Sequence, residues 1–175
     1  MSVSSRFNEQ VESKLHHLDI CTHIKNNEDH DILTRRGFDV NLRLMKTSPV
    51  YHAIIAQCVH YIRDCATTKR VGYSRPMGFS GANAGIPFNI IAMRDGTYMI
   101  NPQVIEASEK MRITSSDCGS LTLEKPINVR RPEYVTIEYY DLDGELHVVH
   151  GFLPTEQHEI DHNNGILITD PNRRA

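Results

Sequence analysis

No apolar run in this sequence approaches the roughly 18 residues that a membrane span needs, so no transmembrane helix is expected. The opening stretch MSVSSRFNEQVESK lacks the apolar core of a secretory signal, and its early acids Glu9 and Glu12 speak against an organellar transit peptide. An excess of basic residues is also missing. The formal net charge is −3 and the pI is near 6.3, which gives no electrostatic reason to expect a nucleic-acid partner. The four cysteines, Cys21, Cys58, Cys65 and Cys118, form no CxxC pair. Even parity alone does not make a disulfide framework in a chain this long. A reducing cytoplasm is therefore the expected compartment. There is no internal repeat and no low-complexity tract.

The 175 residues suffice for one domain with its own core, and a mean hydropathy of −0.41 fits a soluble globular protein. We expect a single domain over 1–175, with residues 1–46 as an irregular arm that includes a short helix near 8–18. A monomer with no membrane partner is expected. The clearest helix of the first half lies in TSPVYHAIIAQCVHYIRDCATT. Ser48 suits the N-cap and Pro49 the first helical position. Tyr51, Ile54, Ile55, Cys58, Ile62 and Cys65 then recur at helical spacing as one apolar stripe, which marks Cys58 and Cys65 as core residues. From residue 70, KRVGYSRPMGFSGANAGIP reads as a loop. Strand-like runs follow at 88–93, 97–100, 103–108 and 110–114. VTIEYY alternates with period two, Asp143-Gly144 supplies a tight turn, and ELHVV returns. The expected fold class is α+β, with antiparallel β-sheets packed around a late helix.

That late helix carries QHEIDH at 157–162. Pro154 suits its first turn, and Asn163, Asn164 and Gly165 end it. Residues four apart share a helix face, so His158 and His162 can both direct ring nitrogens at one metal ion. Glu159, adjacent to the first histidine, is placed to act as a general base without being a ligand. Two surface histidines at this spacing also arise by chance in a chain with ten, so a third ligand decides the matter. Downstream there is no further His or Glu. Upstream, SSDCGSL puts Cys118 in a small-residue turn, and its thiolate together with two helix imidazoles makes a plausible three-donor site.

Three blocks in this order, GFSGANAGIPFNIIAM (78–93), SDCGS (116–120) and QHEIDH (157–162), resemble the peptide deformylase family. The family shows a Gly-Φ-Ala-Ala-x-Gln block leading into a GVPxxIxVI-type strand, then Glu-Gly-Cys-Leu-Ser, then Gln-His-Glu-x-Asp-His. The third block matches fully. In the second, Ser116-Asp117 replaces Glu-Gly and Gly119 replaces Leu. In the first, Ser80-Gly81 replaces Ala-Ala and Asn83 replaces the glutamine. The resemblance implies a metal held by Cys118, His158 and His162, with Fe²⁺ in the cell; donor softness alone also permits Zn²⁺, Ni²⁺ or Co²⁺.

It further implies hydrolysis of the formyl group of N-formylmethionine on a nascent chain, met transiently at the ribosome. Glu159 would serve as base, and the Gly119 N–H and the Asn83 amide as oxyanion donors. Asn83 as a mere loop cap is the bland alternative. Residues 86–93 and the loop from Gly78 to Gly81 are expected to form a wall along an extended peptide. Phe79 and Phe152 either line a methionine-sized pocket or are ordinary core residues. Asp161 is expected to have a supporting or structural role, such as orienting a histidine or capping a loop. Two other functions compete: a non-catalytic peptide binder on the same scaffold, against which an intact Glu159 argues, and a small metallopeptidase or amidase.

Overall fold

The computed structural model describes residues 33–68, 77–121 and 123–175. The helix expected near 8–18 and part of the loop after residue 68 lie outside them. A short helix α1 (Leu42–Thr47) leads into α2 (Pro49–Thr67). Seven strands follow: β1 (Gly78–Ser80), β2 (Ile90–Met93), β3 (Tyr98–Ala107), β4 (Met111–Ser116), β5 (Ile127–Pro132), β6 (Val135–Tyr140) and β7 (Leu146–Gly151). Helix α3 (Pro154–Asn163) comes last. Strands β1-β2-β3-β6-β7 form one antiparallel sheet, and β4-β5 form a separate two-stranded one.

Helix α2 starts as its sequence demands. The Ser48 hydroxyl accepts the Tyr51 N–H at 3.3 Å, and Pro49 occupies the first turn. Its stripe buries Ile55, Cys58, Ile62 and Cys65. Strand β2 is buried on both faces. Because side chains alternate along a strand, Ile90 and Ala92 join the cluster that contains α2, while Ile91 and Met93 join the one that contains Ile160 of α3. This interior strand therefore fixes the late helix against the sheet.

Four local expectations change. The runs at 97–100 and 103–108 are one strand, β3. Asn101-Pro102 looks like a breaker, but Asn101 takes φ 52°, which asparagine tolerates, and the strand continues past an irregularity in register. The Asn101 amide also brackets Val40, accepting its N–H at 2.7 Å and donating to its carbonyl at 2.9 Å. Residues 42–47, the end of the expected irregular arm and just beyond, are helical because Asn41 caps α1 by accepting the Leu44 N–H. Gly78–Ser80, read as loop, pairs with β2 as an edge strand. Strand β5, which the strand pattern does not reveal, pairs with β4 throughout.

Candidate metal centre

Cys118 lies in the loop between β4 and β5, 3% exposed, among Leu33, Leu121, Val129, Leu167 and Ile168. The Asp117 carboxylate accepts its backbone N–H at 2.9 Å. His158 and His162 project from α3. The helix ends at Gly165 (φ 73°), a conformation in which an added Cβ would meet the Thr34 carbonyl at 2.2 Å. The Ile166 N–H closes onto the Asp161 carbonyl at 2.8 Å. Asn163, not foreseen from the sequence, ties this helix end to the sheet. Its amide donates to the Ile90 carbonyl at 3.1 Å and its side-chain oxygen accepts the Ala82 N–H at 3.3 Å.

The three donor atoms lie within 4.8 Å of one another. The two Nε2 atoms are 3.1 Å apart, and Cys118 Sγ is 3.3 Å from His162 Nε2. Tetrahedral metal–nitrogen and metal–sulfur bonds of ordinary length place such donors roughly 3.3–3.6 Å apart. Two of the three separations come close to this spacing, and the thiol and two imidazoles are the donor chemistry a divalent ion takes. Burial lowers the His158 pKa well below its ordinary value, with a further push from His162. Burial, with Arg131 adding to it, lowers His162 to about 4. Both imidazoles are thus neutral and ready to ligate. Burial pushes the Cys118 thiol up to about 12, so that without an ion it keeps its proton.

Metal uptake must displace that proton. In the Glu159→Gln protein, where no carboxyl proton contributes, Zn²⁺ binding to the apo form at pH 7 is expected to release about one proton per ion. Calorimetry in buffers of different ionisation heat measures this. Release of none would remove Cys118 from the ligand set.

Glu159 is 4% exposed, and its Oε2 has no hydrogen-bond partner. Burial raises its pKa to about 8, against the lowering pull of Arg131. Gly78 packs directly on it: an added Cβ would lie 2.9 Å from Glu159 Cγ and 2.9 Å from Thr155 Cγ2. Both residues line a cleft of ≈ 530 Å³ that also takes in Gly119 and His158. A Cβ on Gly119 would meet nothing within 4 Å, so its backbone stands open to the cleft.

Other expected site residues fall elsewhere. Phe79 is 8% exposed and belongs to the α2 core. The strand alternation that turns Gly78 toward Glu159 sends Phe79 the other way. Gly81 packs on backbone, since a Cβ there would come 2.4 Å from the Phe88 carbonyl. Phe152 lies beneath the Arg112 guanidinium, 4.5 Å from ring centre to Cζ. None of the three lines the cleft. Strand β2 is interior to its sheet and does not border the cleft, whereas Gly78 of β1 and Thr114, Ser115 and Ser116 of β4 do.

Asn83 is buried, also lies outside the residues that line the cleft, and bridges two loops. Its Oδ1 accepts the Ser80 N–H at 3.1 Å and the Ser80 hydroxyl at 2.5 Å, and its Nδ2 donates to the Ser120 hydroxyl. An amide nitrogen carries two hydrogens, so one remains after the Ser120 bond.

Asp161 has a structural role, through arginines and not through a histidine or a loop cap. Its carboxylate is sandwiched by Arg131 Nη1 at 2.9 Å and Arg173 Nη2 at 2.5 Å. Arg131 is 1% exposed. Taking away one partner of a buried pair leaves the other charge uncompensated. Asp161→Ala is therefore expected to cost about 3–5 kcal/mol of stability, a fall in Tm of roughly 6–20 °C for a chain of this size. Thermal unfolding measures it, and a change of under about 1 kcal/mol would mark the pair as a surface-like contact of little weight.

An antiparallel scaffold that brings a loop thiol against two imidazoles and a glutamate of an HExxH helix defines a mononuclear metal-site protein of the HExxH type. The polypeptide deformylase family model matches residues 45–175. The chain belongs to that family. A peptide deformylase of Wolbachia (subspecies Drosophila simulans, strain wRi) is 42% identical over 73 residues, 40% of this chain and 40% of that protein. One from Rhizobium meliloti (strain 1021) is 32% identical over 110 residues, 56% of this chain and 63% of that protein. The chain thus spans between two-fifths and two-thirds of the curated relatives it matches. Among solved structures, the actinonin-bound class I type b peptide deformylase of Acinetobacter baumannii shares the fold, with a TM-score of 0.60, 24% identity, and coverage of 78% of this chain and 88% of that one. No helix of the described residues is long and apolar enough to cross a membrane.

Proposed function

We propose that this chain is a metal-dependent peptide deformylase that hydrolyses the formyl amide of N-formylmethionyl nascent chains. The observation that carries this reading is the convergence of Cys118, His158 and His162 near Glu159, whose Oε2 has no partner, with His158 and Glu159 lining an open cleft. Cys118, His158 and His162 would hold a divalent ion, which would lower the pKa of a water beside it from 15.7 toward roughly 7. We read Fe²⁺ as the working ion, with Zn²⁺, Ni²⁺ and Co²⁺ able to take the same donors.

The chain's own groups do the rest. Among the described residues β1 pairs only with β2, and β4 only with β5, so each offers a free edge to the cleft between them. An extended peptide can add to such edges by main-chain hydrogen bonds. Glu159 removes a proton from the attacking water and returns it to the amine nitrogen as the formyl C–N bond breaks, leaving formate and a free N-terminus. The Gly119 N–H and the spare Asn83 hydrogen stabilise the charge that develops on the formyl oxygen. The substrate emerges at the ribosome, so a transient encounter there, by a monomer in the cytoplasm, completes the reading.

Product identity tests it. Incubation with formyl-Met-Ala-Ser is expected to give formate and intact Met-Ala-Ser. Free amino acids would indicate a metallopeptidase, and binding without products would indicate a peptide binder.

Asn83 tests the oxyanion assignment. Asn83→Ala is expected to lose about 2.7–4 kcal/mol in kcat/KM, the usual effect of one oxyanion donor, and to lower Tm through the lost Ser80–Ser120 bridge. A lowered Tm with kcat/KM within a few-fold of wild type would leave Asn83 as a loop tie alone.

A further inference from the structure

The cleft beside the metal centre is lined by residues that suit hydrogen bonding better than a thioether. Its apolar side chains are Met77, itself 58% exposed, and Pro154. Facing them are Thr114 and Ser116 of β4, with Thr155 from the first turn of α3. Thr114 and Ser116 are two apart on one strand and so share a face. Their hydroxyl oxygens lie 3.4 Å apart, and both residues are half-buried. Gly78 and Gly119 add no side chain to the rim, and Arg94, Ser115 and Asp117 complete it with further polar groups. Pockets that select apolar side chains are lined mainly by hydrophobic and aromatic groups. A methionine lowered onto these hydroxyls would strip them of water and return no hydrogen bond. An amide side chain of similar size brings a donor and an acceptor.

We propose that Thr114 and Ser116 form a polar side-chain subsite, so that the substrates extend beyond formyl-methionine to N-formyl peptides whose first residue has a hydrogen-bonding side chain. This rests on the deformylase reading and adds a substrate class to it. Glutamine is the most direct probe, because it is close to methionine in length and volume but carries an amide.

The test compares formyl-Gln-Ala-Ser with formyl-Met-Ala-Ser on the iron-loaded full chain, by formate release. The kcat/KM ratio of glutamine to methionine is expected to lie above one, by about tenfold. A ratio at or below one overturns the subsite. The double variant Thr114→Val, Ser116→Ala removes both hydroxyls with little change of volume, and its ratio is expected to fall toward or below one. An unchanged ratio overturns the assignment to these two residues. Should the metal-loaded protein release formate from neither peptide, the deformylase reading fails, and the dissociation constants of the two peptides decide the subsite. Tighter glutamine peptide supports it, and equal or tighter methionine peptide overturns it.

Discussion

Glu159→Ala is expected to keep its metal and lose more than about 10⁴-fold in kcat, beyond the usual range for a single general base, because the same carboxyl acts first on water and then on the leaving amine. The geometry makes the two effects separable. Glu159 is not among the three converging donors, yet it shares the cleft with His158. Its carboxyl has an unpartnered oxygen and is held in place by the bare backbone of Gly78. Among the described residues the other carboxylate lining the cleft, Asp117, accepts the Cys118 N–H. Asp161, two residues on, is fully engaged by Arg131 and Arg173. Metal analysis and steady-state formate release on this one variant measure both quantities. Activity within tenfold of wild type would remove Glu159 from the reaction, and loss of the ion would make it a ligand.

Cys118→Ala is expected to abolish stoichiometric metal and all formate release with it. The remaining pair, His158 and His162, offers two neutral donors, and with the thiolate gone nothing in the described metal cluster balances the ion's charge. A two-donor site has little affinity for a divalent ion. The fold should survive, because Cys118 sits in a cluster with Leu33, Leu121, Val129, Leu167 and Ile168, where alanine leaves only a small cavity. Circular dichroism alongside metal analysis separates loss of the ion from loss of structure. A folded variant that still holds one ion per chain would return Cys118 to the role of a packing residue.

The two helices that matter most were legible because their signals are local. Ser48-Pro49 and a clean apolar stripe define α2, while Pro154 and Gly165 bracket α3. The hairpin β6–β7 was legible from alternation around Asp143-Gly144, with Gly144 at φ 74°. Strand β5 was not, because Arg130-Arg131-Pro132 reads as surface. Arg131 is buried only because Asp161, thirty positions away, is there to pair with it. Strand β1 is three residues long and opens on glycine, below the reach of any periodicity.

The metal donors followed from spacing and from the family resemblance. The cleft did not. Whether Phe79 faces core or cleft depends on the phase of β1, and that phase is set by Phe79 pairing with Ala92 of β2, which sequence alone does not reveal. Asn83, in place of the family's glutamine, reads from the sequence as an oxyanion donor or a loop cap. Its neighbours give it a second task, bridging Ser80 to Ser120, which no one-dimensional pattern announces.

The central claim is that Cys118, His158 and His162 together hold the ion on which deformylation depends. Anaerobic titration of the metal-free protein with Fe²⁺, following formate release from formyl-Met-Ala-Ser at each addition, tests it most directly. The account predicts no formate before iron, a linear rise, and a sharp plateau at one ion per chain. Formate release by the metal-free protein, or none from a chain that has taken up its ion, would contradict it.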